Sequence, residues 1–113
     1  MNNVPINYVE LKARDLEATK IFYNQAFGWT FTDYVPNYTA FSNSGVEGGF
    51  EKTQEDIVNG VLVVLHHQEL ELIQKKIEAA GGKIIVPIFS FPGGRRFQFL
   101  DPSGNELAVW CEG

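Results

Sequence analysis

Residues Phe99-Leu100-Asp101-Pro102-Ser103-Gly104-Asn105-Glu106-Leu107 read as the end of an aromatic strand, a tight turn and the start of a second strand. Phe41-Ser42-Asn43-Ser44-Gly45 repeats the device earlier in the chain: an aromatic strand end, an Asx side chain able to hold a turn, and a glycine to close it. Working outward from each copy gives the same order of elements. Upstream of the second copy lie Arg96 to Leu100, the turn Phe91-Pro92-Gly93-Gly94, and a strand from Lys83 to Ile88. Before those, Leu70, Ile73, Ile77 and Ala80 recur at helical spacing until Gly81-Gly82 supplies the stop. Val61-Leu62-Val63-Val64-Leu65 precedes the helix, and its apolar run predicts a central, well-covered strand.

Around the first copy, Ile6 to Leu11 alternates as a strand, with Val9 and Leu11 on one face and Ile6, Tyr8 and Glu10 on the other. Asp15 offers a helix N-cap, Leu16, Phe22, Tyr23 and Ala26 form an apolar stripe, and Gly28 ends it. Trp29 to Tyr34, Tyr38 to Asn43 and Val46 to Glu51 read as short strands, and the polar stretch Lys52 to Asn59 as a linker. The expected fold is therefore α+β in a single domain, residues 1–113. Two tandem βαβββ modules, 4–52 and 59–111, form a curled, cup-shaped mixed sheet with helices on its outer face.

Composition narrows the function classes. The chain has 113 residues, 44% of them hydrophobic, enough to build a core. Its net charge of -5, with scattered Lys and Arg, predicts neither a nucleic-acid nor an anionic-membrane partner. No stretch approaches the roughly 18 apolar residues of a membrane span, no basic and apolar leader pattern opens the sequence, and Cys111 is the only cysteine. A cytoplasmic location is the expectation.

In combination, Leu16, Ile21-Phe22-Tyr23, Phe27-Gly28-Trp29, Ala79-Ala80-Gly81-Gly82-Lys83 and Phe99 through Leu107 resemble the vicinal oxygen chelate superfamily. That superfamily includes glyoxalase I, extradiol dioxygenases, fosfomycin-modifying enzymes and bleomycin resistance proteins. The resemblance runs from Ile6 to Trp110 and is nearest the group related to lactoylglutathione lyase. It implies a cup whose metal-dependent members hold a divalent ion through His or Gln on the first strand and Glu on the last strand of each module. Those positions here carry Tyr8, Gly49, Val61 and Ala108. Valine, alanine and glycine offer no side-chain donor, and a neutral phenol is a poor ligand for a hard ion. No metal and no cofactor is expected.

The residues left to line the cup are Tyr8, Glu10, Phe50, Phe97 and Trp110, a surface suited to a flat aromatic or cationic molecule. Glu10 and Glu106 are the candidate catalytic bases. His66-His67, as strand neighbours, point apart and do not chelate together. Three function classes stay open: a metal-free small-molecule binding protein working as a homodimer, a glyoxalase-like lyase or isomerase with a displaced metal or a carboxylate base, and a non-catalytic self-associating module.

Overall fold

The computed structural model describes residues 3–34 and 36–113. The first module runs β1 (Tyr8–Ala13), α1 (Leu16–Phe27), β2 (Thr30–Tyr34), β3 (Tyr38–Ser42) and β4 (Glu47–Lys52). The second runs β5 (Val63–His66), α2 (Leu70–Ala79), β6 (Lys83–Phe91), β7 (Gly94–Leu100) and β8 (Glu106–Glu112). Each module builds a four-stranded mixed sheet, in the orders β1-β4-β3-β2 and β5-β8-β7-β6. In both, the first strand runs parallel to the last and the remaining pairs are antiparallel. The α+β class and the twice-written module hold, with the cup's sheet built as two halves.

Local chemistry sets the helix limits. Asp15 accepts a hydrogen bond from the Ala18 N–H at 3.1 Å, satisfying one of the free amides of the first turn. Gly28 closes α1 in the left-handed region at φ 77, where a side chain would be strained. The buried face of α1, Phe22, Tyr23 and Ala26, joins Trp29, Phe41 and Phe50 with Leu70, Ile73, Ile77, Phe97, Phe99, Leu107 and Val109 in one core. Both modules thus share a single apolar interior, crossed by Phe22 and Phe27 packing on Phe99 at 6.1 and 5.8 Å.

The turn that opened the sequence reading also ties the modules together. Asp101 Oδ1 accepts from the N–H groups of Ser103, Gly104 and Asn105, each at 2.9 Å, and Oδ2 accepts from the buried Tyr23 hydroxyl at 2.8 Å. Asn105 Nδ2 donates to that same carboxylate and to the Lys12 carbonyl of β1 at 2.7 Å. Burial pushes the Asp101 carboxyl above its usual range, and these donors pull it back.

Three local expectations change. β1 starts at Tyr8, leaving Ile6 outside it and 79% exposed. The run from Val61 is an edge strand rather than a central one: β5 has only β8 beside it, begins at Val63, and leaves Val61 82% and Val64 45% exposed. Finally, β6 continues past Ile88 to Phe91, through Pro87. It lies at a sheet edge, where a missing N–H costs no ladder bond, and register shifts between Ile84 and Phe89 absorb the irregularity.

Candidate functional site

Register decides which side chains face away from the helices. In the parallel ladder Tyr8 lies beside Glu47, Glu10 beside Gly49, Leu11 beside Phe50 and Lys12 beside Glu51. Leu11 and Phe50 point to the helices; Tyr8, Glu10 and Gly49 belong to the open face, where Lys12 and Glu51 form an ion pair. From β3, Tyr38 and Ala40 join that face. The Tyr38 ring lies directly over Gly49, where a Cβ would come within 2.4 Å of Tyr38 Oη and 2.7 Å of ring carbons. On the opposite side of the strand, a Cβ on Gly48 would meet Phe41 Cζ at 2.3 Å and the Val9 carbonyl oxygen at 2.1 Å. The glycine pair therefore admits one aromatic ring on each side of β4.

The Tyr38 and Tyr8 hydroxyls are 2.6 Å apart. Burial, then hydrogen bonding with Tyr8 and Glu10, raises the Tyr38 hydroxyl well above the usual phenol range. Module one thus presents a linked set of two phenols and a carboxylate on its open face.

Module two builds the corresponding face differently. Arg96 is opposite Trp110, and Gln98 is opposite Ala108. Val64 and His66 flank Ala108 and Trp110 from β5. The Arg96 guanidinium carbon lies 5.3 Å from the ring centroid of Phe89 and 5.9 Å from that of Phe91. Trp110 packs 6.4 Å from Phe91 and edge-on to His66 at 5.1 Å, and His66 Nε2 is 2.8 Å from a Glu112 oxygen. The Gln98 amide donates to Glu106.

This geometry corrects part of the site. Phe50 and Phe97 do not line the open face: both are fully buried, Phe50 5.1 Å from Tyr23 and Phe97 6.3 Å from Phe99, on the helix side of their sheets. Both sit one residue out of phase with the open face. Val61 precedes β5; since Val64 lies beside Ala108 as Glu10 lies beside Gly49, the counterpart of Tyr8 is Leu62. Glu10 and Glu106 occupy separate modules, and Glu106 is already engaged by Gln98. Tyr38, Phe89, Phe91 and Arg96 are open-face residues outside the set that the sequence places there.

Among the described residues, no three His, Cys, Asp or Glu side chains converge as metal ligands would, and no helix is long and apolar enough to cross a membrane. A cavity of about 710 Å³ lies elsewhere, between the modules on the helix side, walled by Leu11, Phe27, Trp29, Val63, Leu65 and Ile73. It opens under β1 and β5, each a sheet edge.

Two half-sheets of βαβββ topology sharing one core, with an open face turned away from both helices, define the class of protein. The family model of the Glyoxalase/Bleomycin resistance protein/Dioxygenase superfamily matches residues 5–109, and the chain belongs to that superfamily. Among curated relatives, the anthracycline biosynthesis protein DauV of Streptomyces sp. (strain C5) is 29% identical over 127 residues, covering 94% of this chain and 46% of that protein. The chain thus spans about half the length of the curated relatives it matches.

Two solved structures share the fold at low identity. A glyoxalase/bleomycin resistance protein/dioxygenase family enzyme from Burkholderia phytofirmans PsJN has a TM-score of 0.85 at 18% identity, covering 97% of this chain and all of that one. TnmS3, an antibiotic binding protein from Streptomyces sp. CB03234, has a TM-score of 0.74 at 17% identity, covering 100% and 99%.

Proposed function

We propose that this chain is a metal-independent binding protein for a small aromatic organic molecule, which lies on the open face against Tyr8, Tyr38 and Trp110. The observation that carries the reading is the Tyr38 ring over Gly49. The spot where the family resemblance places a metal-binding carboxylate is filled by a phenol, and the other such spots hold Tyr8, Leu62 and Ala108. These side chains do not fit a divalent ion, and they offer flat apolar area with hydroxyl groups to orient a guest. TnmS3, an antibiotic binding protein, has the same class of activity.

Thermal unfolding tests this. A panel of planar aromatic compounds should raise the Tm for some members. Trp110→Ala should remove the response with little change in the unliganded Tm, because Trp110 is only partly buried. A panel without effect on the native protein overturns the reading.

The protein works as a homodimer in this proposal. β1 and β5 expose unpaired edges beside the apolar cavity, and Ile6, Val61 and Val64 stand exposed along them. A second copy laid on these edges closes both. Light scattering that returns the mass of one chain at micromolar concentration refutes this. Cys111, buried and outside any disulfide, suits a reducing compartment such as the cytoplasm.

A second reading, a lyase or isomerase, draws on the linked Tyr8, Tyr38 and Glu10, since a carboxylate next to a phenol pair is able to take and relay a proton. Glu106, held by Gln98, suits that role less.

A further inference from the structure

Neighbouring arginines on β7 have opposite fates. Arg95 points to the helix side, where its guanidinium makes a two-pronged contact with Glu71 at 2.7 and 3.2 Å. Arg96 points to the open face, over the rings of Phe89 and Phe91 and opposite Trp110. No carboxylate lies within ion-pair distance of Arg96 among the described residues, and its Nε is buried with no hydrogen-bond partner. Stacking on aromatic faces satisfies the charge of a guanidinium in part but none of its N–H groups. A half-buried cation with an orphaned donor is costly, and an acceptor brought by a ligand offsets that cost.

We infer that Arg96 is the specificity-determining residue of the open face, and that the guest is an aromatic acid whose planar anionic group docks on this guanidinium while its ring lies among Phe89, Phe91 and Trp110. This rests on the reading that the open face binds an aromatic molecule; of the aromatic or cationic guest expected from the sequence it keeps the aromatic ring and gives it a negative charge. Carboxylate and guanidinium match as planar forks, and the paired hydrogen bonds of such a contact are stronger than neutral ones. The chain's net charge of -5 repels anions at long range, so a preference for an anion over a cation of the same shape must come from a local cation. Neither open-face acid named as a candidate base competes at this spot: Glu106 is bound to Gln98, and Glu10 lies on the other module.

Calorimetric titration with three naphthalenes of one shape separates the cases: 2-naphthoate, 2-naphthalenemethanol and 2-naphthylmethylammonium, against the native protein and Arg96→Met. Native protein should bind naphthoate roughly tenfold more tightly than the ammonium, as a charge-assisted contact worth about one decade requires. Arg96→Met, which keeps the stem packed on the Phe rings, should bind all three about equally. If the ammonium binds as well as naphthoate, or the preference survives in Arg96→Met, the inference falls and aromatic binding stands. If none of the three binds the native protein, both fall together.

Discussion

The two open faces come from the same module written twice, yet they have specialised in opposite directions. Module one closes on itself: Tyr38 covers Gly49 and meets the Tyr8 hydroxyl, while Lys12 pairs with Glu51. Module two leaves its strongest group unanswered, with Arg96 among Phe89, Phe91 and Trp110 and one donor unmatched. The difference lies in side chains, since strand order and ladder directions agree between the halves. A repeated backbone supplies two equivalent platforms, and the residues at a few outward positions decide which polar groups are matched internally and which are left for a guest.

Substitutions sharpen this contrast. The largest effect is expected at the glycine pair of β4. Gly48→Ala drives a methyl into the Val9 carbonyl and the buried Phe41 ring, neither of which has room to move, and should cost about 3 kcal/mol. Gly49→Ala meets only the outer end of Tyr38, whose ring is able to swing toward solvent, and should cost about 1 kcal/mol. Denaturant unfolding of both variants checks the order; equal losses would mean that the Tyr38 ring is as fixed as the core.

An intermediate effect is expected at high pH. A folded-state phenol held above its unfolded value binds a proton that the unfolded chain releases from about pH 10 upward, so stability falls as pH rises through that window. Tyr38→Phe should make the fall shallower. Tyr23, raised well above its usual range by burial and Asp101, should sustain the remainder. Unfolding midpoints followed across the alkaline range read this directly, and an unchanged slope would break the picture of a closed module one.

The smallest effect separates the adjacent arginines. Arg95→Met loses the Glu71 contact and should lower the Tm slightly, whereas Arg96→Met removes an unmatched donor and should leave the Tm unchanged or raise it. A larger drop for Arg96→Met would assign that residue to packing.

Much of the fold was legible because periodicity and turn chemistry agree. Asp15, Gly28 and the Asp101–Asn105 turn fall where local rules put them. The position of β5 was not legible, since an apolar run reads the same whether its neighbours come from one chain or two. Phe50 and Phe97 were placed on the wrong face by one residue. The hairpin through Asp101 contained the signal, because pairing Leu100 with Glu106 puts Phe97 opposite Val109 and Arg96 opposite Trp110. Phe89 and Phe91 lie beyond the expected strand end at Ile88, because the Pro92-Gly93-Gly94 turn signal masks a strand that runs right up to it. Tyr38 over Gly49 is a contact between strands, and no single-strand pattern announces it.

That ring over a bare backbone also links two positions in how they tolerate change. A longer side chain at position 49, an acidic one included, would meet the phenol seated there and push the ring toward solvent. Clearing the phenol first would surrender its bond to Tyr8 with nothing gained in return. Residues 38 and 49 are therefore coupled across neighbouring strands: the side chain that one position accepts depends on what the other carries.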